Sequence, residues 1–501
     1  MTASTTGTVP ESTDPAKDFT SFDPRDGSPI ATYPIATCED VDRIVADARS
    51  AARWWAELGH SRRRARLDQW RRILASRIDE LTAVLVAETG KTPSDAKSEV
   101  VVGLDHLHWA AKHARSILRR RRPLSGMLMI NHVATIDYEP LGVVGVIGPW
   151  NYPVLTPLGS IAYALAAGNA VVFKPSQYTP SVGKWLVDTF TEVVPDHPVF
   201  SLLTGDGSTG AALCEAEIDK VAFTGSTATG RRVMSSCAKR LTPVLMECGG
   251  KDVLIVDSDA DLRLAAEAAV WGAMVNAGQA CLAVERVYVL DDVAEGFLEH
   301  VRHRCATIRP GPDANASFGP ITMPAQVDVI RRHVEAAVHD GGGLIIGGPE
   351  SIQPPYVHPV VVTNVPEESA AMTEETFGPV LIINTVRSVD EAIVRSNSSR
   401  MGLGATVFGR KNADRIASAL RVGMVGVNSV MPVMAMPTLP FGGVGESGFG
   451  RIHGEEGLKE FVRTKAIARR VVPPALRVLT FDRPQWTADV LVRLAKLRYG
   501  K

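Results

Sequence analysis

Several features that define other classes of protein are missing from this 501-residue sequence. No apolar run reaches 18 residues, so the sequence predicts no membrane-spanning helix. Lys and Arg number 54 against 55 for Asp and Glu, and the net charge of −1 argues against a protein that binds nucleic acids. Residues 1–17 contain neither a basic segment nor an apolar one, so we predict a disordered lead there.

Cysteine is scarce and widely spaced. The six residues form no CxxC pair and have no partner at the spacing of a zinc site. They are Cys38, Cys214, Cys237, Cys248, Cys281 and Cys305. We therefore predict free thiols, no metal site and a cytoplasmic location, because disulfides are rare in reducing compartments.

The length and the patterning predict an α/β protein of more than one domain. At roughly 150 residues per domain, two or three domains are expected. Between residues 140 and 430, short β-branched runs alternate with helical stretches, which is typical of parallel β-α-β units. Thr179 and Pro180 mark the start of one such helix. The strand candidates are 143–147, 170–173, 220–223, 253–256, 287–289, 344–346, 359–362 and 380–383.

Three segments carry residue types that suit nucleophilic catalysis. Cys281 follows a short Gly-containing turn, and a thiol held on a turn can reach a cleft. Glu247 ends a strand before two glycines, which leave its carboxylate free to act on water. Asn151 lies in a loop stiffened by two prolines after the strand at 143–147, where a fixed amide suits an oxyanion. Taken alone, Cys281 also fits a buried core cysteine and Glu247 a turn residue.

Other segments indicate a nucleotide. Ser226 follows the strand at 220–223 and opens a helix, where backbone N–H groups bind phosphate. Lys174 lies at the tip of another parallel strand, and Glu375 stands two residues before Phe377. None of these segments contains GxGxxG, and each alone is a weak indication of a nucleotide site.

Together these segments form an ordered set of motifs. They read PWNYP at 149–153, KPS at 174–176, FTGS at 223–226, ECGGK at 247–251, GQAC at 278–281, ETFGP at 375–379 and PFGG at 440–443. In this order the sequence resembles the NAD(P)-dependent aldehyde dehydrogenase superfamily over about residues 20 to 470. Within it, the sequence is most similar to a bacterial group of carotenoid-dialdehyde dehydrogenases and second-type succinate-semialdehyde dehydrogenases.

The resemblance implies roles for the chemical residues. Cys281 attacks the aldehyde, and the Asn151 side chain with the Cys281 N–H stabilises the oxyanion. Hydride then passes to the nicotinamide, and Glu247 activates the water that hydrolyses the thioester. Hydrolysis is expected because members that transfer the acyl group to coenzyme A typically lack this glutamate. The implied cofactor-binding residues are Ile147, Pro149, Trp150, Lys174, Ser176, Gln177, Gly207, Phe223, Gly225, Ser226, Cys248, Glu375 and Phe377.

The resemblance also implies the architecture. We expect an aldehyde dehydrogenase fold with a Rossmann-like cofactor domain at 18–120 and 138–246 and an α/β catalytic domain at 247–446. A β oligomerisation element at 121–137 and 455–472 is expected to form a homodimer or homotetramer.

Two departures from the family pattern bear on the chemistry. Cys248 stands where the family usually has Leu, and we interpret it as a small buried replacement. Gln177 stands where many NAD-preferring members carry a glutamate that holds the ribose 2′-hydroxyl. We therefore expect NAD as the cofactor, with NADP also possible.

The predicted substrate tunnel is wide and apolar. Its residues are Thr156, Gly159, Val275, Leu282 and Phe441. Gly159 replaces the bulky aromatic residue that is frequent in small-aldehyde members, and Val275 replaces an arginine that binds a distal carboxylate in one class of succinate-semialdehyde enzymes. We expect a long-chain or aromatic aldehyde, with succinate semialdehyde as the alternative. A thiol esterase without cofactor and a non-catalytic descendant of the fold are the alternatives from other classes.

The C-terminal segment 473–501 is predicted to be an amphipathic tail. Trp486, Val490, Leu491, Leu494 and Leu497 fall on one helical face, and basic residues accompany them. Such a helix fits a neighbouring subunit, the tunnel mouth or, as a peripheral contact, a membrane surface.

Overall fold

The computed structural model describes residues 17–126, 129–313, 315–473 and 480–500. The predicted disordered lead lies outside this range except for Lys17, as do 474–479 and Lys501 of the predicted tail. By packing, the chain divides into two compact units. The larger contains the described residues up to Ile117 and then Pro140–Val462, and the smaller contains Leu118–Glu139 and the described residues from Arg463 onward.

The helices of the described residues run from α1 to α16 in chain order. They are α1 (Cys38–Glu57), α2 (Gly59–Ser76), α3 (Ile78–Thr89), α4 (Pro93–Ile117), α5 (Leu155–Ala167), α6 (Pro180–Thr191), α7 (Gly207–Glu215), α8 (Thr227–Ala238), α9 (Leu262–Met274), α10 (Ala294–Cys305), α11 (Pro324–His339), α12 (Ala370–Thr373), α13 (Val389–Asn397), α14 (Ala413–Ala419), α15 (Gly454–Glu460) and α16 (Trp486–Tyr499).

The larger unit contains two main sheets. The strands of the first are β4 (Val143–Ile147), β5 (Ala170–Lys174), β6 (Phe200–Leu202), β7 (Lys220–Thr224), β8 (Val244–Glu247) and β20 (Gly448–Phe449). Those of the second are β9 (Asp252–Val256), β10 (Val284–Leu290), β11 (Gly343–Ile346), β14 (Val360–Thr363), β15 (Val380–Val386), β17 (Gly404–Phe408) and β18 (Met424–Val427).

Two-stranded pairs complete the strands. They are β1 (Asp18–Phe22) with β2 (Pro29–Pro34), β12 (Ile352–Gln353) with β13 (Tyr356–Val357), β16 (Met401–Gly402) with β19 (Val444–Gly445), and β3 (His132–Pro140) with β21 (Val462–Arg470).

Both main sheets are parallel apart from one strand each, as the alternating pattern predicts. The first has the order β20-β8-β7-β4-β5-β6, and the second has β11-β14-β15-β10-β9-β17-β18. Only the edge strands β20 and β11 pair in the antiparallel sense. The domain boundary predicted at 246/247 falls within β8 and inside the larger unit, and β20 of the first sheet follows the strands of the second along the chain.

Local sequence explains where these elements start. Thr37 and Asp40 form a capping box at α1, and Asp261 accepts the Leu264 N–H at the start of α9. Pro180 occupies the first turn of α6 as predicted, although Thr179 makes no side-chain cap. Strands β5 and β9 are buried along their whole length, because helices cover both faces of a parallel sheet.

The smaller unit includes most of the predicted oligomerisation element. Residues 455–462 belong to the larger unit instead, because α15 packs there against α4 and α5. Within the smaller unit Arg120 pairs with Asp137 at 2.5 Å, and Glu139 accepts from Arg463 and Lys465. Its helix α16 leaves Trp486 and Leu497 exposed. Among the helices of the described residues, none is long and apolar enough to cross a bilayer.

Candidate active site

The candidate nucleophile follows a turn in an unusual backbone conformation. Asn276, Ala277 and Gly278 all have positive φ, at 53°, 58° and 71°. Non-glycine residues rarely adopt this region, and such strain persists only where the surroundings hold it. Here the Asn276 side chain donates to the carbonyl of Asn151 at 3.1 Å. The turn that precedes Cys281 is therefore fixed by the loop that carries the oxyanion amide.

Burial and negative neighbours govern the Cys281 thiol. Burial raises its pKa, and the carboxyl groups of Asp252, Glu375 and Glu247 raise it further. The thiol is consequently protonated at neutral pH, and it needs a base before it can act as a nucleophile.

Glu247 is a buried carboxylic acid whose side-chain oxygens have no hydrogen-bond partner among the described residues. It ends β8, and only 2% of it is exposed. Burial raises the pKa of Glu247 well above its usual value, although the positive charge of Arg451 opposes this shift. A buried carboxylate with a raised pKa binds a proton more strongly than an exposed one, which suits a general base.

The backbone around Glu247 leaves no freedom in its position. Strand pairing fixes it between Thr224 of β7 and Gly448 of β20. Gly442 has a φ of +152°, and a Cβ there would lie 2.7 Å from the Glu247 Oε1 atom. The PFGG motif thus supplies a close-approach glycine against the candidate base.

The oxyanion amide is held by a buried ion pair that the sequence analysis missed. The Asn151 Nδ2 donates to the carbonyl of Gln279, two residues before Cys281, at 2.9 Å. Lys91 Nζ donates to the Asn151 carbonyl at 2.9 Å and to Glu99 at 2.5 Å. The other Glu99 oxygen accepts the N–H groups of Val154 and Leu155 at the start of α5.

A second buried ion pair supports the ETFGP loop. Lys251 donates to Glu285, and Glu285 accepts the backbone N–H groups of Thr376 and Phe377. Lys251 falls in the quoted ECGGK motif, whereas nothing local in the sequence pairs it with Glu285, 34 residues away.

Glu375 lies against the glycines that follow the candidate base. Its Oε1 accepts the N–H of Gly250 at 3.0 Å. Burial first and Glu285 second raise the pKa of Glu375 to about 8. The ring of Phe377 stands edge-on to Trp150 with their centroids 5.5 Å apart. These two predicted cofactor residues therefore sit beside the strand end that carries Glu247.

The remaining predicted cofactor residues follow the carboxyl ends of β4, β5 and β7. Ser226 caps α8 by accepting the Thr229 N–H at 3.3 Å, and the first turn of this helix offers N–H groups to an anion. Burial lowers the pKa of Lys174 to about 8, and the nearby Asp206 opposes the shift. Gly207 starts α7 with open space where a Cβ would point.

This arrangement fits a dinucleotide. Anion-binding backbone, the cation of Lys174 and the carboxyl of Glu375 follow one edge of the parallel sheet, where open α/β sheets bind ligands. At this edge Gln177 is exposed and Phe223 is buried. The other predicted residues here are partly exposed: Ile147, Pro149, Ser176 and Gly225. Cys248 is buried and faces Gly230, where a Cβ would lie 2.9 Å from its Sγ.

A cavity opens beside the candidate nucleophile and base. It holds about 580 Å³ of empty space, part of it open to solvent. Its walls are largely apolar: Tyr152, Leu155, Thr156, Thr224, Glu247, Cys248, Ala280, Cys281, Leu282, Leu403, Met431, Met434, Phe441, Ile452 and His453. The predicted tunnel residues Thr156, Leu282 and Phe441 belong to this wall.

Two predicted tunnel residues do not line this cavity, Gly159 and Val275. The space beside Gly159 is filled, because a Cβ there would lie 2.7 Å from Nε2 of His453 and 3.2 Å from Ile452. The expectation that Gly159 widens the tunnel is therefore wrong. An imidazole from a distant loop occupies the room that the missing side chain leaves, which no local pattern in α5 reveals.

Comparisons with known proteins agree with this geometry. The model of the aldehyde dehydrogenase family matches residues 11–467. A 4,4'-diapolycopene aldehyde oxidase of Methylomonas is 37% identical over 87% of this chain and 83% of its own length. A putative NADP(+) succinate-semialdehyde dehydrogenase of Mycolicibacterium smegmatis is 35% identical over 91% of this chain and 89% of its own length.

Solved structures show the same similarity. An NAD-dependent aldehyde dehydrogenase from Sinorhizobium meliloti superposes with a TM-score of 0.88 at 30% identity, covering 92% of this chain and 93% of its own. The chain belongs to the aldehyde dehydrogenase family and has its fold. It is thus an oxidoreductase that acts on aldehydes with NAD(P), as the resemblance in the sequence predicts.

Proposed function

We propose that this protein oxidises an apolar, long-chain or aromatic aldehyde to the carboxylic acid through a thioester on Cys281. One observation carries the proposal: Cys281 and the unpartnered carboxyl of Glu247 line one largely apolar cavity. An orphaned buried carboxyl group is costly, and it is retained where it acts on a substrate or on water.

The first step needs a base and an oxyanion site. Glu247 takes the thiol proton, and the Cys281 sulfur adds to the aldehyde carbon to form a thiohemiacetal. The oxygen that gains the negative charge accepts from the Asn151 amide, whose other N–H already bonds to Gln279. An oxidised nicotinamide held beside Glu375 and Phe377 would supply the hydride acceptor, and loss of hydride from that carbon would leave a thioester on Cys281.

The second step releases the acid. Glu247 releases the thiol proton to solvent and then takes a proton from a water molecule as the water oxygen attacks the thioester carbon. The carbon–sulfur bond then breaks, the carboxylic acid leaves, and the Cys281 thiol regains its proton. One carboxylate can serve both steps because its oxygens have no hydrogen bonds to the described residues that would have to break.

The cavity wall favours an uncharged, apolar substrate. Its side chains include Leu155, Met431 and Phe441 and no lysine or arginine. Each buried methylene contributes about 0.8 kcal/mol at most, or roughly fourfold in affinity. We expect kcat/KM to rise steeply from acetaldehyde to octanal.

Succinate semialdehyde is the second candidate, and the name of the Mycolicibacterium relative favours it. A carboxylate tail would find no bidentate cation among the cavity residues. Arg451, the nearest candidate in the sequence, donates instead to the carbonyls of Gly443 and Gly450. A kcat/KM for succinate semialdehyde above that for octanal and benzaldehyde would establish this candidate.

The proposed cofactor preference is NAD, and it depends on Gln177. This side chain is exposed at the groove and carries no charge, so it neither holds a 2′-hydroxyl strongly nor repels a 2′-phosphate. Gln177→Glu is expected to reduce NADP-dependent turnover at least tenfold and leave NAD-dependent turnover within about twofold, with Gln177→Ala as the matched control. Equal losses with both cofactors would place Gln177 away from the 2′ position.

A homodimer or homotetramer and a cytoplasmic location belong to the same proposal. Strand β21 exposes eight of its nine residues, and an exposed strand is a common surface for pairing between subunits. Light scattering during size-exclusion chromatography tests this point, and a monomer would contradict it.

The direct test of the function is a panel of aldehydes with NAD and with NADP, followed by nicotinamide absorbance at 340 nm. We expect oxidation of octanal and benzaldehyde that depends on a cofactor and on Cys281. If the protein oxidises no aldehyde but hydrolyses a thioester without cofactor, the thiol esterase is favoured. If it does neither, a binding role is favoured.

A further inference from the structure

The cavity contains a second orphaned polar side chain, which the proposed reaction does not use. Only 3% of His453 is exposed, and it lines the same cavity as Cys281. Neither of its ring nitrogens has a hydrogen-bond partner among the described residues. A buried imidazole without partners is rare in folded proteins, since each unpaired group costs free energy.

The backbone at His453 is also unusual. Its φ of 63° and ψ of 166° fall in a region that is almost confined to glycine. A non-glycine residue in this conformation carries strain, and substitution of His453 by glycine would remove that strain. Both features indicate that the imidazole is retained for what it does in the cavity.

Stacking and contact fix the ring in place. It stacks on His106 with the ring centroids 3.7 Å apart, and Phe441 meets it edge-on at 5.6 Å. His106 donates from Nε2 to the carbonyl of Met434 at 2.9 Å, so its own tautomer is set. On the remaining side, Gly159 provides the room for the His453 Nε2 atom.

The charge of His453 is set by burial. Burial lowers the pKa of His453 well below its usual value, and His106 lowers it further. A neutral imidazole offers one N–H donor and one acceptor nitrogen. Either nitrogen can bond to a hydroxyl, which donates or accepts as required, whereas a carboxylate would bring an unbalanced negative charge into a buried site that holds no cation among the described residues.

We propose that His453 selects aldehydes that carry a hydroxyl group at a distance from the aldehyde, by hydrogen bonding to that oxygen. The substrate then has an apolar body against Leu155, Met431 and Ile452 and a neutral polar end at the imidazole. This inference rests on the proposed function, because it names the substrate class of the same cavity. His453 is a specificity residue, since the bond that reacts lies at Cys281.

Matched substrates test the proposal. Straight-chain aldehydes of increasing length are compared with the same aldehydes that carry a terminal hydroxyl. In the wild-type enzyme, kcat/KM of the hydroxylated member is expected to exceed that of its parent by about tenfold at one chain length, because the orphaned imidazole gains its partner. In His453→Gly this ratio falls to about one or below.

The variants separate hydrogen bonding from folding. His453→Gly removes the imidazole and relieves the positive φ, and this relief offsets part of the cost of the cavity that the lost ring leaves; a melting curve checks that the variant is folded. His453→Asn carries the same backbone strain as the wild type and keeps a donor and an acceptor, and it should retain part of the preference. An unchanged ratio in His453→Gly, or a preference for carboxylate-terminated aldehydes in the wild type, overturns the proposal.

Binding without turnover distinguishes this inference from the proposed function. The matched unreactive amides, with and without the terminal hydroxyl, are titrated into the wild-type protein and His453→Gly by calorimetry. The wild type is expected to bind the hydroxylated amide about tenfold tighter, and His453→Gly about equally. If aldehydes are not oxidised but this difference holds, the proposed function fails and the selectivity of His453 stands.

Discussion

Three buried glutamates, Glu99, Glu285 and Glu247, lie in two regions with opposite surroundings. Behind the loops, Glu99 and Glu285 each pair with a buried lysine and accept two or more backbone N–H bonds. In the cavity, Glu247 is equally buried and has no hydrogen-bond partner. The satisfied groups hold loops in place, whereas the orphaned group remains available to substrate and water.

Removing the nucleophile tests the cavity region with the largest expected effect. Cys281→Ala should lower kcat by at least about a thousandfold, because Cys281 is the thiol beside the Asn151 loop, whereas Cys248, the other cavity thiol, packs against Gly230. NAD binding, measured by fluorescence titration, should change little since the nucleotide contacts lie elsewhere. Retention of more than a hundredth of wild-type turnover would remove Cys281 from its role.

Breaking the ion pairs tests the supporting region. Lys91→Met or Lys251→Met leaves a buried carboxylate without its cation, which costs about 3–5 kcal/mol. The melting temperature should fall by several degrees in both variants. Lys91→Met should also lower kcat, because Lys91 holds the Asn151 carbonyl.

A surface pair supplies the control for these variants. Lys184 pairs with Asp188 at 2.5 Å on the exposed face of α6, and Lys184→Met should change the free energy of unfolding by less than about 1 kcal/mol. If Lys91→Met melts like this control, the buried pair does not support the oxyanion loop.

Glu247→Gln should stabilise the protein, whereas the lysine variants destabilise it, and the gain should depend on pH. The pKa of Glu247 is raised in the folded state, so folding binds a proton above the unfolded pKa of about 4.3. Stability is full below that value and falls as pH rises toward the folded pKa. The variant lacks this loss, so it should melt higher than the wild type at pH 8, with the difference shrinking toward pH 4. A variant that melts lower at pH 8 would show that Glu247 is structural.

The sequence predicted the reacting end of the site and missed what supports it. Cys281, Glu247 and Asn151 lie in short motifs whose spacing is visible along the chain. The parallel strands were also predictable, because β4, β5 and β7 are continuous β-branched runs. Lys251 and Glu285 meet only after β9 and β10 pair, and Lys91 reaches Asn151 across 60 residues.

The substrate end shows a different reason for failure. An empty position at Gly159 predicted a wide tunnel, but volume is set by all the elements that surround a cavity. His453 fills the space from a loop almost 300 residues away. The identity of residue 159 in α5 therefore predicted neither the width of the cavity nor the polarity of its wall.

The most direct test of the account is the intact mass of Glu247→Gln after mixing with octanal and NAD. We expect NADH to form up to one equivalent, more slowly than in the wild type because the thiol must ionise without Glu247. The protein should gain the mass of one acyl group, because hydrolysis of the thioester on Cys281 has also lost its base. The double variant Cys281→Ala, Glu247→Gln should gain no mass. An unmodified Glu247→Gln protein with normal steady-state turnover would contradict both the role of Glu247 and the significance given to its missing hydrogen bonds.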